Sequence, residues 1–286
     1  MKEVRAEAAL QALGMEGAAF DIMREKDGVS VYRVTDKTAR YVLKIFANEF
    51  DCREIRNYGI LQTLGVPTLT LHGQTENAVL LADIEAVPGL RLGCEADLSD
   101  RGIAQAAARW YRRLHEAGAC FVRESDENFY DESDEITHAN MQALMHATTD
   151  EANPFWVTLF ARFNALRRAI DGLPRTLVYN DFYWTNLAVA EDKSYALMFD
   201  YNLLGKGYVY GDIRNVLSSL SAEAGRAFCE AYGEIDGTQS ALDAVVSPLF
   251  TLHQAYRRDT FPSWAERARL DLKNGALLTK LQKALG

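Results

Sequence analysis

The chain has 286 residues, 48% hydrophobic and 25% charged, a composition typical of a globular protein with room for one large domain or two lobes sharing a cleft. Its net charge of −9 argues against nucleic-acid binding, which needs a basic surface. No apolar run reaches the ~18 residues of a membrane span, the start Met1–Glu7 lacks a signal-peptide core, and Cys52, Cys94, Cys120 and Cys229 form no C-x-x-C pair, so reduced thiols and a cytoplasmic location are expected.

In chain order, Val29–Val34 and Arg40–Phe46 read as strands around a turn at Thr35-Asp36-Lys37-Thr38. A helix follows over Asp51–Leu64, with Ile55, Tyr58, Leu61 and Leu64 on one face and Gly65-Val66-Pro67 as its stop. Leu69–His72 and Ala78–Ile84 read as two more strands around Gln74-Thr75-Glu76-Asn77, and Val87-Pro88-Gly89 breaks the pattern as a hinge. Beyond it the chain is mainly helical. Ser99 is expected to cap a helix with Ile103, Ala107, Trp110 and Leu114 on its apolar face, and Phe155–Ile170 is expected to form another, ended by Gly172-Leu173-Pro174. Short strands at Leu177–Tyr179, Leu187–Ala190 and Ala196–Phe199 surround a polar loop, and helices fill the chain from about Asp212 to Leu285. The expected fold class is α+β, with a β-rich lobe containing one helix over residues 1–86 and an α-rich lobe over 87–286.

The polar loop carries the chemistry. Asp181 and Asn186 are separated by four residues, and an apolar strand delivers Asp200 fourteen residues after Asn186. Phosphoryl transfer asks a protein to align donor and acceptor and to compensate negative charge. Asp181 can accept the proton of a hydroxyl, while Asn186 and Asp200 offer one neutral and one charged oxygen to magnesium. Lys44 lies in the apolar run Tyr41–Phe46 and needs an anionic partner if it turns inward; Glu54, ten residues on, can reach it. Such a pair would hold Lys44 against the phosphates of ATP. Taken alone, Lys44 and Glu54 read as solvated surface charges; alongside Asp181, Asn186 and Asp200 they read as part of one site.

These residues resemble the protein-kinase-like fold, and more closely the aminoglycoside phosphotransferase and choline kinase group. The resemblance spans roughly residues 20–220 and includes Leu114-His115 at a helix end and Tyr210-Gly211-Asp212-Ile213-Arg214 at a helix start. It implies a two-lobed fold with a nucleotide-binding lobe at 1–86 and a catalytic, substrate-binding lobe at 87–286. It further implies Asp181 as base, Asn186 and Asp200 as metal ligands, Lys44 as the phosphate lysine, and Asp212 as a brace of the loop. Nucleotide, ATP with GTP as the alternative, is expected near Asp83-Ile84-Glu85, under a phosphate-covering turn Arg24–Ser30. The chain departs from the group's pattern in three places. Tyr179-Asn180 stands where His-Gly is usual, the covering turn has the single glycine Gly28, and Asp200-Tyr201-Asn202 replaces D-F-G. With no A-P-E segment, a protein substrate is not expected.

Other residues carry competing readings. His115 reads as a structural histidine, and Trp184 equally as a packing aromatic or a wall of the acceptor pocket. Seven acids and no basic residue fall between Glu124 and Glu135, and removing them from the net −9 leaves about −2 for the rest. This stretch is either a solvated, mobile insert or an acceptor-pocket wall in which Asp126, Glu127 and Tyr130 attract a cationic substrate. The expected activity is magnesium-dependent transfer of the ATP γ-phosphate to a hydroxyl of a small, cationic acceptor. The competing readings are a neutral acceptor such as a sugar or homoserine, a non-catalytic nucleotide-binding protein, and a metal-dependent phosphohydrolase.

Overall fold

The computed structural model describes residues 2–37 and 39–286, with side chains from residue 4 onward. In chain order the elements begin with α1 (Lys2–Ala12), β1 (Ala19–Lys26), β2 (Val29–Asp36), β3 (Ala39–Phe46), α2 (Glu49–Thr63), β4 (Leu71–Gln74), β5 (Ala78–Ala82) and β6 (Leu90–Leu92). Next come α3 (Arg101–Glu124), α4 (His138–Thr148), α5 (Pro154–Ala161), α6 (Phe163–Asp171), β7 (Thr176–Val178), β8 (Leu187–Ala190), β9 (Ala196–Met198) and β10 (Gly205–Gly207). The chain closes with α7 (Val209–Ser219), α8 (Ala222–Tyr232), α9 (Gly237–Tyr256), α10 (Glu266–Lys273) and α11 (Ala276–Ala284). They form two compact units. One holds residues 1–118, 179–204 and 215–233, and the other holds 119–178, 205–214 and 234–286.

The first unit contains a five-stranded antiparallel sheet in the order β1-β2-β3-β5-β4. Alternation along its strands sorts side chains to two faces. Tyr32 and Val34 of β2 join Leu43 and Ile45 of β3 in a core closed by Ala6, Ala9 and Leu10 of α1. Val29 and Val31 face the other way, paired with Phe46 and Lys44. The hairpin turn between β1 and β2 is Asp27-Gly28, both at positive φ (50° and 86°), the geometry of a type I′ turn whose twist matches its strands. Strand β1 and helix α1 were not anticipated from the sequence; their apolar residues are few and six of the eight β1 residues from Asp21 onward are exposed. The turn expected at Thr35–Thr38 holds as far as Lys37, at φ 53°, and Thr38 lies outside the described residues.

Helix α2 begins two residues earlier than expected because the Asn48 side chain accepts from the Asp51 amide at 2.9 Å and caps it. Strand β5 stops at Ala82, short of the expected Ile84, because Asp83 caps a 3-10 turn over Ile84–Ala86. The breaker Val87-Pro88-Gly89 is a turn, with Gly89 at φ 74°, that feeds β6 onto β8 in the sheet β6-β8-β9. The cap of α3 is Asp100, not Ser99: its carboxylate accepts from the Ile103 amide at 3.1 Å, while Ser99 ends a preceding 3-10 turn.

The second unit is a helical core built on α9, with Leu242, Val246, Leu249 and Leu252 packed against Met141 and Leu144 of α4 and Leu277 and Leu281 of α11. The single helix expected at 155–170 is two, α5 and α6, broken at Arg162, whose backbone (φ −110°, ψ 11°) leaves the helical region. Strand β7 pairs with β10, and the Lys206 amide donates to the Tyr130 carbonyl at 2.7 Å, tying the middle of the acidic stretch to this ribbon.

Candidate functional site

Five expected site residues meet in the first unit, around one cavity of about 440 Å³. Lys44 reaches it from the middle of β3, and its Nζ donates to Glu54 Oε2 of α2 at 2.5 Å and to Asp200 Oδ1 at 3.1 Å. Glu54 is fully buried, whereas the Asp200 side chain is about one third exposed, so the ammonium bridges an interior anion and one that faces the cavity. Asp181 and Asn186 complete the set from the loop between β7 and β8. Asn186 turns its amide nitrogen back onto Asp181, donating to Oδ2 at 2.8 Å and to the main-chain carbonyl at 3.2 Å.

Burial opposes the Lys44 charge, but Glu54 and Asp200 outweigh it and hold its pKa above the ordinary lysine value. Burial likewise pushes the Glu54 carboxyl up, with Asp200 adding to the effect and Lys44 opposing it. Asp181 is raised to about 6, first by burial and then by the neighbouring Asp200 carboxylate, with the Asn186 hydrogen bond working the other way. A carboxylate near 6 is a better proton acceptor than an ordinary aspartate and is still ionised at neutral pH.

The loops bearing these groups are held by aromatic and amide side chains. Tyr179 is fully buried, and its hydroxyl donates to the Phe199 carbonyl, so the residue two before Asp181 is tied to the residue before Asp200. Asn180 takes a left-handed backbone (φ 67°), the conformation glycine adopts freely and asparagine tolerates among other residues. Its side chain donates to the Leu203 carbonyl at 3.0 Å, and its own carbonyl accepts from Asn215 at 2.8 Å. The departure Tyr179-Asn180 thus keeps the turn and supplies its own bracing. Asp200 is also left-handed, at φ 66°. The buried Tyr201 beside it donates its hydroxyl to the Met198 carbonyl, while its main-chain carbonyl accepts from Asn57 of α2 at 2.7 Å. Edge-on contacts of Tyr201 with Tyr58 and Tyr179, and stacking on Trp110, anchor it further. Gly93 is required here for space: a Cβ there would sit 2.5 Å from the Trp184 carbonyl.

The remaining expected residues lie elsewhere. Ser30 is on the opposite face of β2 from Val29 and Val31, where its side chain lines a smaller cavity with Tyr32 and Arg5, because strand alternation turns it away. Asp83 and Glu85 spend their carboxylates on the sheet: Arg33 reaches Asp83 at 3.0 Å and Glu85 at 2.8 Å, and Arg40 lies 3.6 Å from Asp83. Trp184 is half-buried on the 3-10 turn Trp184–Asn186 with its ring against Tyr183; it is Tyr183 and Thr185 that line the cavity. His115 is buried, with Nδ1 2.8 Å from the Tyr232 hydroxyl, in line with the structural reading.

Asp212 belongs to the second unit, fully buried in the first turn of α7. Asp126, Glu127 and Tyr130 are also there; the two acids are exposed and Tyr130 is half-buried. The acidic stretch is not uniformly solvated. Asp131 is buried, caps the 3-10 turn Glu132–Glu135 through Ser133, and faces Arg175 at 3.5 Å. Glu135 lies 3.2 Å from His253, and burial raises Glu132 to about 7 despite Arg214 at 3.6 Å.

Sequence reasoning missed Arg24, Lys26 and Asp51 as cavity residues. Arg24 and Lys26 were legible only as part of a turn, since the face they occupy depends on strand register. Among the described residues no group of three or more His, Cys, Asp or Glu could hold a metal alone. Magnesium needs only one or two protein oxygens, with phosphate and water supplying the rest. The donor set fits it: Asn186 has committed its nitrogen to Asp181, its oxygen accepts a long bond from the Thr185 hydroxyl at 3.5 Å and has a second lone pair for a cation, and Asp200 lines the same cavity.

The sequence profile of the phosphotransferase enzyme family matches residues 26–249. A comparison with curated proteins found no match. Among solved structures, choline kinase LicA from Streptococcus pneumoniae is 12% identical, with a TM-score of 0.64 over 98% of this chain and 99% of its own. A choline/ethanolamine kinase family protein from Mesorhizobium loti is 16% identical, with a TM-score of 0.66 over 100% and 99%. The streptomycin–ATP–APH(2")-IIa ternary complex is 16% identical, with a TM-score of 0.54 over 92% and 90%. These likenesses establish the kinase-like α+β fold, with a β-sheet N-terminal region and a helical C-terminal region.

Proposed function

The chain belongs to the phosphotransferase enzyme family, and from that membership we propose that it transfers the γ-phosphate of ATP to a hydroxyl of a small, cationic acceptor, with magnesium as the metal. The observation that carries this reading is the convergence of Lys44, Glu54, Asp181, Asn186 and Asp200 on one cavity. Lys44, held by Glu54, positions the nucleotide phosphates. Asp181 orients the acceptor hydroxyl and takes its proton, for which a pKa of about 6 suits it. Asn186 and Asp200 would hold magnesium, which when bound offsets negative charge on the transferring phosphate. Residues 1–86 would serve nucleotide binding and 87–286 catalysis and acceptor binding, in the cytoplasm, with GTP as the alternative donor.

The exposed Asp126 and Glu127 place negative charge close in sequence to Tyr130, as an amine-bearing acceptor would use. No helix among the described residues is long and apolar enough to cross a membrane.

The test is an ATP-consumption screen against amino alcohols, aminoglycosides and neutral sugars, with magnesium present or chelated. Turnover with an amine-bearing alcohol, lost on chelation, is the expected result. Turnover with sugars alone would sink the cationic-acceptor reading. Failure to bind ATP at all would sink the kinase reading.

A further inference from the structure

The cavity holds two cations that the five-residue set leaves unused. Arg24 and Lys26 of β1 line it beside Lys44. They share that face because of the strand register. Arg24 pairs with Val31, which pairs with Lys44, and Lys26 pairs with Val29, which pairs with Phe46. Cross-strand partners point to the same side of a sheet, so each cation heads a row that ends at the cavity.

A β-bulge makes this possible. The β1–β2 register shifts between Ile22 and Arg24, leaving Met23 as the extra residue. Before the bulge, Phe20 and Ile22 pair with Val34 and Tyr32, on the face where Phe20 packs against the core shared with α1 and Ile22 stays exposed; after it, the residues of the same parity, Arg24 and Lys26, line the cavity. Without the extra residue the apolar and the cationic pair would compete for one face.

The turn gives these cations a task. Phosphates under a kinase-like hairpin are commonly cradled by a glycine-rich loop of main-chain amides. Here the connection is the two-residue type I′ turn Asp27-Gly28, whose Gly28 carbonyl is bound by the Ala47 amide at 2.9 Å. Such a turn has no run of glycines with which to wrap an anion. Helix α2 offers no substitute, since its first turn carries Glu49 and Asp51 and its Asp51 amide is already capped by Asn48. The cavity lining also has five carboxylates against three cations, and Lys44 is committed to two of those carboxylates. Lys26 faces Asp27 at 3.6 Å, with both side chains mostly exposed.

We propose that Arg24 and Lys26, aimed by the Met23 bulge, bind the nucleotide's phosphate chain through side-chain charge in place of a glycine-loop amide cradle. Arg24 can take two phosphate oxygens in a fork, and Lys26 acts as a point charge nearer the turn. This rests on the kinase reading above, and the experiment separates the two.

Equilibrium binding of ATP, ADP and adenosine is measured for the wild-type protein, Arg24→Gln/Lys26→Gln, and Arg24→Lys/Lys26→Arg, at low and high salt. The double Gln variant should weaken ATP about tenfold or more and ADP less, leave adenosine unchanged, and reduce the salt sensitivity of ATP binding. The charge-retaining pair should recover most of the ATP affinity. Wild-type ATP affinity in the double Gln variant, or an equal loss for adenosine and ATP, overturns the assignment while the kinase reading stands. No nucleotide binding by the wild-type chain overturns both.

Discussion

The loop Tyr179–Asn186 and the acidic stretch Glu124–Glu135 are both short, polar and largely free of regular strand, and each looked functional for its acids. The structure separates them by what their oxygens already touch. Asp181 is half-buried beside a cavity, with Asn186 donating to its carboxylate and its pKa raised by burial and by the Asp200 carboxylate. In the acidic stretch, Asp131 and Glu135 are matched to Ser133, Arg175 and His253, while Glu124, Asp126, Glu127 and Asp134 are exposed to solvent. Density of negative charge therefore says little, and a raised pKa alone does not separate the two, since Glu132 is raised as well; what marks Asp181 is that it also lines a cavity with Lys44, Asn186 and Asp200.

The comparison is broken most decisively at Asp181. Asp181→Ala should lower kcat about 10²- to 10⁴-fold, the usual worth of a positioned base, with ATP affinity unchanged. Near-wild-type turnover would place Asp181 with the structural acids.

Next in size is Asp131→Ala, which removes a cap and leaves Arg175 short of a partner. A loss of about 2 kcal/mol in a denaturant titration is expected, with kcat unchanged. The double change Asp126→Ala/Glu127→Ala should stay within about 0.5 kcal/mol in the same titration and raise KM for a cationic acceptor. Reversed behaviour, with Asp131 silent and the pair destabilising, would undo the division drawn within the stretch.

Glu132 gives a smaller, pH-dependent effect. Its folded pKa of about 7 lies above the ordinary glutamate value, so the native state holds the proton more tightly. Stability from this group is complete below the ordinary value and declines as pH rises toward about 7. Glu132→Gln should therefore gain in Tm relative to wild type at pH 8 compared with pH 5. A difference in Tm that ignores pH would mean Glu132 titrates as a solvated acid.

Smallest is Asn180→Gly, which relieves about 1 kcal/mol of left-handed strain and forfeits a hydrogen bond to Leu203 of similar worth, for a net change under about 1 kcal/mol. Asn180→Val should cost clearly more in a thermal melt, since a β-branched residue resists positive φ.

Much of this was legible in the sequence where chemistry and periodicity coincide. Lys44, Glu54, Asp181, Asn186 and Asp200 read as one site only when taken together, and the structure brings them around one cavity. What escaped depended on register and caps. Ser30 and Arg24 lie in one seven-residue segment, yet the turn and bulge send them to opposite faces, a matter of counting pairs that no single strand reveals. Asp100 displaced Ser99 as a cap, and Arg162 broke a helix whose apolar pattern ran through it unbroken, because hydrogen-bond competition at one residue leaves no periodic trace.

Helix α2 presents Glu54 and Asn57 three residues apart, hence on one face. The first grips Lys44, and the second grips the Tyr201 carbonyl next to Asp200. One rod is thus the common datum for the phosphate-facing ammonium and for the strand end that carries a carboxylate. A rigid displacement of α2 would carry both points together and keep their separation.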